Sequence, residues 1–359
     1  MVGPKHMLAA VVIGACLAGA AAAQEKAADK PAEKAVAMTA GDVVQRPQVW
    51  PDVVTLKRDM SDGSHVIKAG TALKLYNLES GGVIVEAPGS ADLTMFPIDA
   101  TDLVAKANEA AAALPEAARQ ITLRELMNEP GMLPPTVKLT EEINFGGTVR
   151  KAGKEIGPYK LMLGGPGVQI IAIDPDLAKE GKINNRQLYA LEQTDFRKAL
   201  RERLMVKDAP SRLLEELKGR LVDASGKPVD PKPAKYYAIY STAAWCGWCA
   251  RFDPELIKFY DAAKAKGQEV EVIYLSQDKS ESEMLEHMTK SGIKYPAVKF
   301  EDRYATPFML GLVSGATPHL VVVTADGHMI HDGNPAGMNG AQAALRALQQ
   351  ELARTSKRS

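Results

Sequence analysis

Tyr236-Tyr237-Ala238-Ile239-Tyr240-Ser241-Thr242, running through Ala243-Ala244 into Trp245-Cys246-Gly247-Trp248-Cys249, decides how this chain folds. The first seven residues are rich in aromatic and branched side chains and read as a buried strand. From Ala250 to about Lys266, Phe252, Leu256, Ile257, Phe259 and Tyr260 recur at helical spacing. The two cysteines therefore sit at a strand-to-helix turn, three residues apart, where a small disulfide ring can close and reopen. Cys246 falls at the helix N-terminus, where free N–H groups and the dipole favour a thiolate. Thiols so placed titrate at about 3.5–7.5 rather than about 8.5. Cys249, one turn in, is expected to be the buried resolving thiol. A structural zinc site wants four ligands; the pair supplies two, His319 offers a third, and no fourth is evident. Redox chemistry is the expected use of the pair, with no metal and no cofactor.

The chain has 359 residues and only one other cysteine, Cys16. Cys16 lies in an uncharged run, Met7 to Ala23, that follows Lys5-His6 and ends in Ala21-Ala22-Ala23. Residues 1–23 read as a secretory signal, and their removal would leave the motif cysteines as the only two. The expected location is periplasmic or secreted, with no membrane span once the signal is cleaved. Basic and acidic residues balance at 44 each, which removes an electrostatic case for nucleic acid. Residues 24–47 are rich in Ala, Lys, Glu and Asp and read as a flexible linker.

A repeat follows. Val54-Thr55-Leu56-Lys57 corresponds to Val137-Lys138-Leu139-Thr140, Lys68-Ala69-Gly70 to Lys151-Ala152-Gly153, and Thr101-Asp102-Leu103 to Thr194-Asp195-Phe196. Each copy carries short alternating strands punctuated by Gly and ends in a Thr-Asp step that suits a helix N-cap. The copies resemble bacterial SH3-like domains. Two small all-β barrels with trailing helices are expected over 48–110 and 136–207, joined by a helical, Pro-rich linker over 111–135. Neither copy shows a catalytic constellation. Trp50, Tyr76 and Phe96 read as core or barrel-rim aromatics, and His65 as a solvated turn residue. Asn144 to Gly147 reads as a hairpin turn.

From about Ser211 to Arg354, within a third domain spanning 208–359, the chain resembles the thioredoxin superfamily, and within it nucleoredoxin and tryparedoxin-like domains. The resemblance rests on the Trp-Cys-Gly-Trp-Cys motif, on Pro254 in the helix after it, and on Thr317-Pro318 before the strand His319-Leu320-Val321-Val322. It implies an α/β thioredoxin-like fold with a cis-proline loop beside the sulfurs. It also implies thiol–disulfide oxidoreductase activity on protein thiols and disulfides, with an electron-donor or acceptor protein yet to be identified. In that setting Cys246 and Cys249 are the catalytic pair. Trp245 shields the sulfurs, Gly247 and Trp248 shape the turn, and Thr317 and Pro318 wall the substrate side. The family's buried Asp six residues before the first Cys is replaced by Tyr240, so the proton acceptor for Cys249 is open. The competing class is a cell-envelope binding protein that works through its SH3-like repeats and carries a non-catalytic thioredoxin-like domain.

Overall fold

Strand Tyr236–Thr242 is buried along its whole length, and its alternating side chains feed two different cores. Tyr236, Ala238 and Tyr240 pack with Phe252 and Leu256 of the motif helix (Gly247–Ala265) and Leu345 and Leu348 of the last helix (Met338–Ser356). Tyr237 and Ile239 pack on the other side with Leu213, Leu217, Phe308 and Met309. This computed structural model describes residues 37–356 apart from 87, 89–92, 146–147, 165–166, 175, 177–185, 207–210, 314 and 335–336. The expected signal and most of the expected linker lie outside the described residues.

Seven strands form the C-terminal sheet. Tyr236–Thr242 pairs in parallel with Val270–Ser276 on one side and antiparallel with His319–Thr324 on the other. Helix Glu281–Ser291 follows Val270–Ser276 along the chain, and helix Met338–Ser356 follows the last strand. A strand at Ala297–Val298 and a helix at Pro307–Leu312 were not anticipated. The strand is only two residues long, and the helix is short with a proline at its first position, so neither leaves a periodic signal.

The repeat is real at the level of hydrogen bonds. In the first copy the Asp102 carboxylate accepts the Thr55 N–H at 2.7 Å, and Leu56 bridges Thr101. In the second, Asp195 accepts the Lys138 N–H at 2.7 Å, and Leu139 bridges Thr194. Each Asp holds the N-cap position of its helix, as the Thr-Asp step leads one to expect, but its carboxylate goes to the isolated strand N–H across the turn; the Thr101 and Thr194 hydroxyls accept the Leu103 and Phe196 N–H groups, each at 3.3 Å. Gly70 and Gly153 take matching left-handed turns, φ 84° and 82°.

The expected barrels are corrected. Among the described residues no sheet closes; each copy is an open four-stranded antiparallel sheet plus a two-stranded hairpin. After the fourth strand the chain turns into a short 3₁₀ segment and returns with a single bridge instead of a ladder. The copies also share one hydrophobic core, to which Leu114, Ala118, Leu123 and Leu126 of the expected 111–135 linker contribute. Packed structure begins earlier than expected as well. Thr39 caps a helix at Ala40–Val44, Val43 is fully buried, and its carbonyl accepts the Trp50 indole N–H at 2.7 Å.

Met38–Ser359 forms one compact unit. Arg212, fully buried, ties the β-rich region to the C-terminal sheet. Its guanidinium donates to the carbonyls of Pro130, at 3.1 Å, and Pro158, and lies 3.6 Å from Glu216. The Glu216 carboxylate accepts the Phe308 N–H at the start of helix Pro307–Leu312. Burial pushes the Arg212 guanidinium down to about 10 against the pull of Glu216, and pushes Glu216 upward.

Candidate functional site

Cys246 and Cys249 are joined in a disulfide with their Cα atoms 5.2 Å apart. Cys246 is the N-cap of the motif helix, and its sulfur accepts the Cys249 N–H at 3.1 Å. That bond satisfies one of the free amides that every helix start leaves over. Cys246 is 5% exposed and Cys249 is fully buried. The sulfur nearer solvent is thus the one that the helix dipole favours as an anion.

Two tryptophans flank the pair and face solvent, Trp245 at 60% exposure and Trp248 at 57%. The Trp245 indole donates to the Gln277 carbonyl at 3.1 Å, which fixes the ring against the end of the neighbouring strand. Arg251 lies over the Trp248 ring, 5.0 Å from its centroid, so it extends that exposed surface as a cation–π partner. Gly247 opens the motif helix. Its φ is not left-handed, and a Cβ built there meets nothing within 4 Å, so the turn itself does not require glycine.

Thr317–Pro318 is a cis peptide, half-buried at Thr317 and buried at Pro318. The antiparallel register sets His319 opposite Ser241, so the cis-proline lies at the same end of the sheet as the motif. The sheet therefore brings together all the residues singled out from sequence: Trp245, Cys246, Gly247, Trp248 and Cys249 from one strand end, Thr317 and Pro318 from its neighbour. The His319 ring pairs with Asp332 at 2.8 Å.

Sequence reasoning missed a buried polar network below the motif. The Tyr240 hydroxyl donates to Asp253 at 2.7 Å, and Asp253 faces His287 Nε2 at 2.9 Å. His287 Nδ1 faces the Tyr274 hydroxyl at 2.9 Å, and Tyr274 contacts Asp278 at 3.1 Å. Asp278 closes the path by accepting the Ala244 N–H, in the loop leading to Cys246, at 2.6 Å. Burial first, then the adjoining carboxylates, pushes both tyrosine hydroxyls well above their ordinary range, so both remain donors. The one signal in the sequence was Asp253 itself, four residues after Cys249 and on the same helix face.

A family model described as thioredoxin-like matches residues 234–329. Probable nucleoredoxin 1 of Arabidopsis thaliana is 30% identical over 112 residues, 31% of this chain and 19% of that protein. Nucleoredoxin of Danio rerio is 29% identical over 97 residues, 26% of this chain and 22% of that protein. The chain thus spans about a fifth of the length of these curated relatives. Among solved structures, tryparedoxin II from C. fasciculata is 27% identical, covering 38% of this chain and 90% of that one, with a TM-score of 0.31. Tryparedoxin from Trypanosoma brucei is 26% identical, covering 37% and 90%, with a TM-score of 0.30. Residues 234–329 are thus thioredoxin-like, and the C-terminal region is similar to nucleoredoxins.

Proposed function

We propose that this protein is a thiol–disulfide oxidoreductase that exchanges its Cys246–Cys249 pair with protein thiols and disulfides. One observation carries the reading: the near-surface sulfur caps a helix while its partner, one turn in, is buried. In the reducing direction the Cys246 thiolate attacks a client disulfide, one client sulfur leaves as thiolate, and a mixed disulfide forms. Cys249 then attacks the Cys246 sulfur, the second client thiolate leaves, and two electrons have passed from the dithiol to the client. The oxidising direction is the reverse. Trp245 and Trp248 offer exposed aromatic surface to a client, and Thr317-Pro318 forms the wall against which an extended client segment pairs. Pro318 has no N–H, so it adds no competing donor there. The signal-like residues 1–23 support an extracytoplasmic location; the mass of the mature N-terminus recovered from the periplasmic fraction tests it.

The test of the exchange reaction is Cys249→Ser. Without the resolving thiol the mixed disulfide on Cys246 has no intramolecular exit. Expressed in an oxidising compartment, the variant should accumulate adducts on non-reducing gels that dithiothreitol removes, and Pro318 substitutions should change their pattern. A folded Cys249→Ser protein with no reducible adducts would overturn the reading in favour of a binding protein.

A further inference from the structure

Resting on that reading, we propose that the Asp253–His287 pair accepts the proton of Cys249 when it resolves the mixed disulfide, and returns it in the reverse reaction. Three observations carry this. The first is placement. Cys249 and Asp253 lie four residues apart on the buried face of one helix, where side chains are neighbours, with Cβ atoms about 5–6 Å apart. The second is access. Ala244, Asp253, Pro254, Lys258, Asp261 and His287 line an open cleft of about 600 Å³, so a proton held on the pair can reach solvent without crossing the sulfurs.

The third is a count of hydrogens. Tyr274 has one hydroxyl proton and faces both Asp278 and His287 Nδ1. If it donates to Asp278, Nδ1 must carry a hydrogen to bond Tyr274. His287 Nε2 faces the Asp253 carboxylate and must carry one too. With both carboxylates ionised, every contact is satisfied only when the imidazole holds two hydrogens. Removing one breaks one buried contact. The network thus has a place for one extra proton beside the helix that carries Cys249.

The proton balance follows. In the reduced protein the pair is Asp253 carboxylate with neutral His287. Cys249 S–H gives its proton through Asp253 to His287, leaving a thiolate that forms the Cys246–Cys249 bond and expels the client thiolate. The imidazolium is then held between Asp253 and, through Tyr274, Asp278. Around the pair stand further groups, among them the buried Tyr295 hydroxyl, which burial first and then the Asp253 charge hold protonated. Tyr240 donates to Asp253 from the central strand, and Ser276 donates to Asp278 from the next. Lys258 and Asp261 line the cleft on the motif helix. On its own helix Glu283 caps Lys279, and Glu286 pairs with Lys290.

The experiment is single-turnover oxidation of the reduced protein by oxidised glutathione, followed by tryptophan fluorescence from pH 5 to 9. Attack depends on glutathione concentration and resolution does not. Positioned proton transfer contributes about 10²–10⁴-fold. Asp253→Asn and His287→Gln should therefore slow resolution at least about tenfold at pH 7. They should also erase its pH inflection while sparing the attack step. Folded variants with wild-type resolution and pH profile would overturn the proposal. A second readout needs no variant. By NMR at pH 7, the ring nitrogens of His287 in the wild-type protein should carry two hydrogens in the oxidised form and one in the reduced form, and identical spectra would overturn it equally. Wild-type protein that does not exchange with glutathione would instead sink the functional reading, before any variant is made.

Discussion

Replacing Arg212 by Ala should loosen the joint between the β-rich region and the redox sheet more than any other single change at that interface. Arg212 is fully buried, and its guanidinium bonds the Pro130 and Pro158 carbonyls while facing Glu216. Truncation leaves those carbonyls without a donor and the Glu216 carboxylate buried without its counter-charge. Removing one partner of a buried pair costs about 3–5 kcal/mol. Unfolding entropy near 60 °C is about 2.1 cal/mol/K per residue, so about 320 residues give about 0.7 kcal/mol/K. The expected fall in Tm is therefore about 6 °C, measured by calorimetry on the full chain. Arg212→Met combined with Glu216→Gln removes both charges together and should recover at least half of the loss, because the main cost is the stranded carboxylate. A single-variant fall under about 1 kcal/mol, or a double variant no better than the single, would refute the reasoning.

Gly247→Ala should fold, with stability unchanged or raised by up to about 1 kcal/mol, since the backbone there suits any L residue and the unfolded chain loses freedom. Its glutathione-exchange rate should stay within about threefold of wild type; a loss beyond tenfold would show that clients need the bare backbone at that turn. Glu192→Gln should raise Tm at pH 7. Burial, only partly offset by the Tyr76 hydroxyl, raises the Glu192 carboxyl above its unfolded value of about 4.3. Its contribution to stability is complete below that value and is lost as pH rises through the folded pKa. The gain from the variant should thus vanish near pH 4 and grow toward neutrality, and a pH-independent difference in Tm would contradict the assignment.

The motif end of the molecule was legible because its signals are local. A run of aromatic and branched residues, two cysteines three apart, and a Thr-Pro before another apolar run each declare themselves within a few residues. What stayed hidden depends on contacts between distant segments. Residues 111–135 looked like a linker because of their prolines, yet Leu114, Ala118, Leu123 and Leu126 complete the core shared by both copies. Nothing in the sequence marks Arg212 and Glu216 as buried, since charged residues rarely bury unless paired, and the pairing is visible only in three dimensions. The same holds for Asp253, whose partner His287 is 34 positions away on another helix.

The antiparallel register of the central strands separates the chemistry from the anchoring. His319 opposite Ser241 puts the cis-proline at the motif end, so the Asp326-Gly327 turn that follows this strand lies at the far end. There Gly131 packs against Asp326, and Glu129 pairs with His328. The back face of the sheet is engaged as well. Tyr159 and Ile173 from the second repeat join the core formed by Tyr237, Ile239 and Phe308, Gly157 meets Pro307, and Arg186 donates to the Leu310 carbonyl. The motif helix and its tryptophans occupy the other face and the opposite end. A client approaching Cys246 therefore meets Trp245, Trp248 and the cis-proline before it meets the repeats. The repeats cannot act as a loose tether either, because helix Pro307–Leu312 is wedged between them and the central strand. On the exchange reading proposed above, the repeats could take part only through a segment of the client long enough to reach past the sheet.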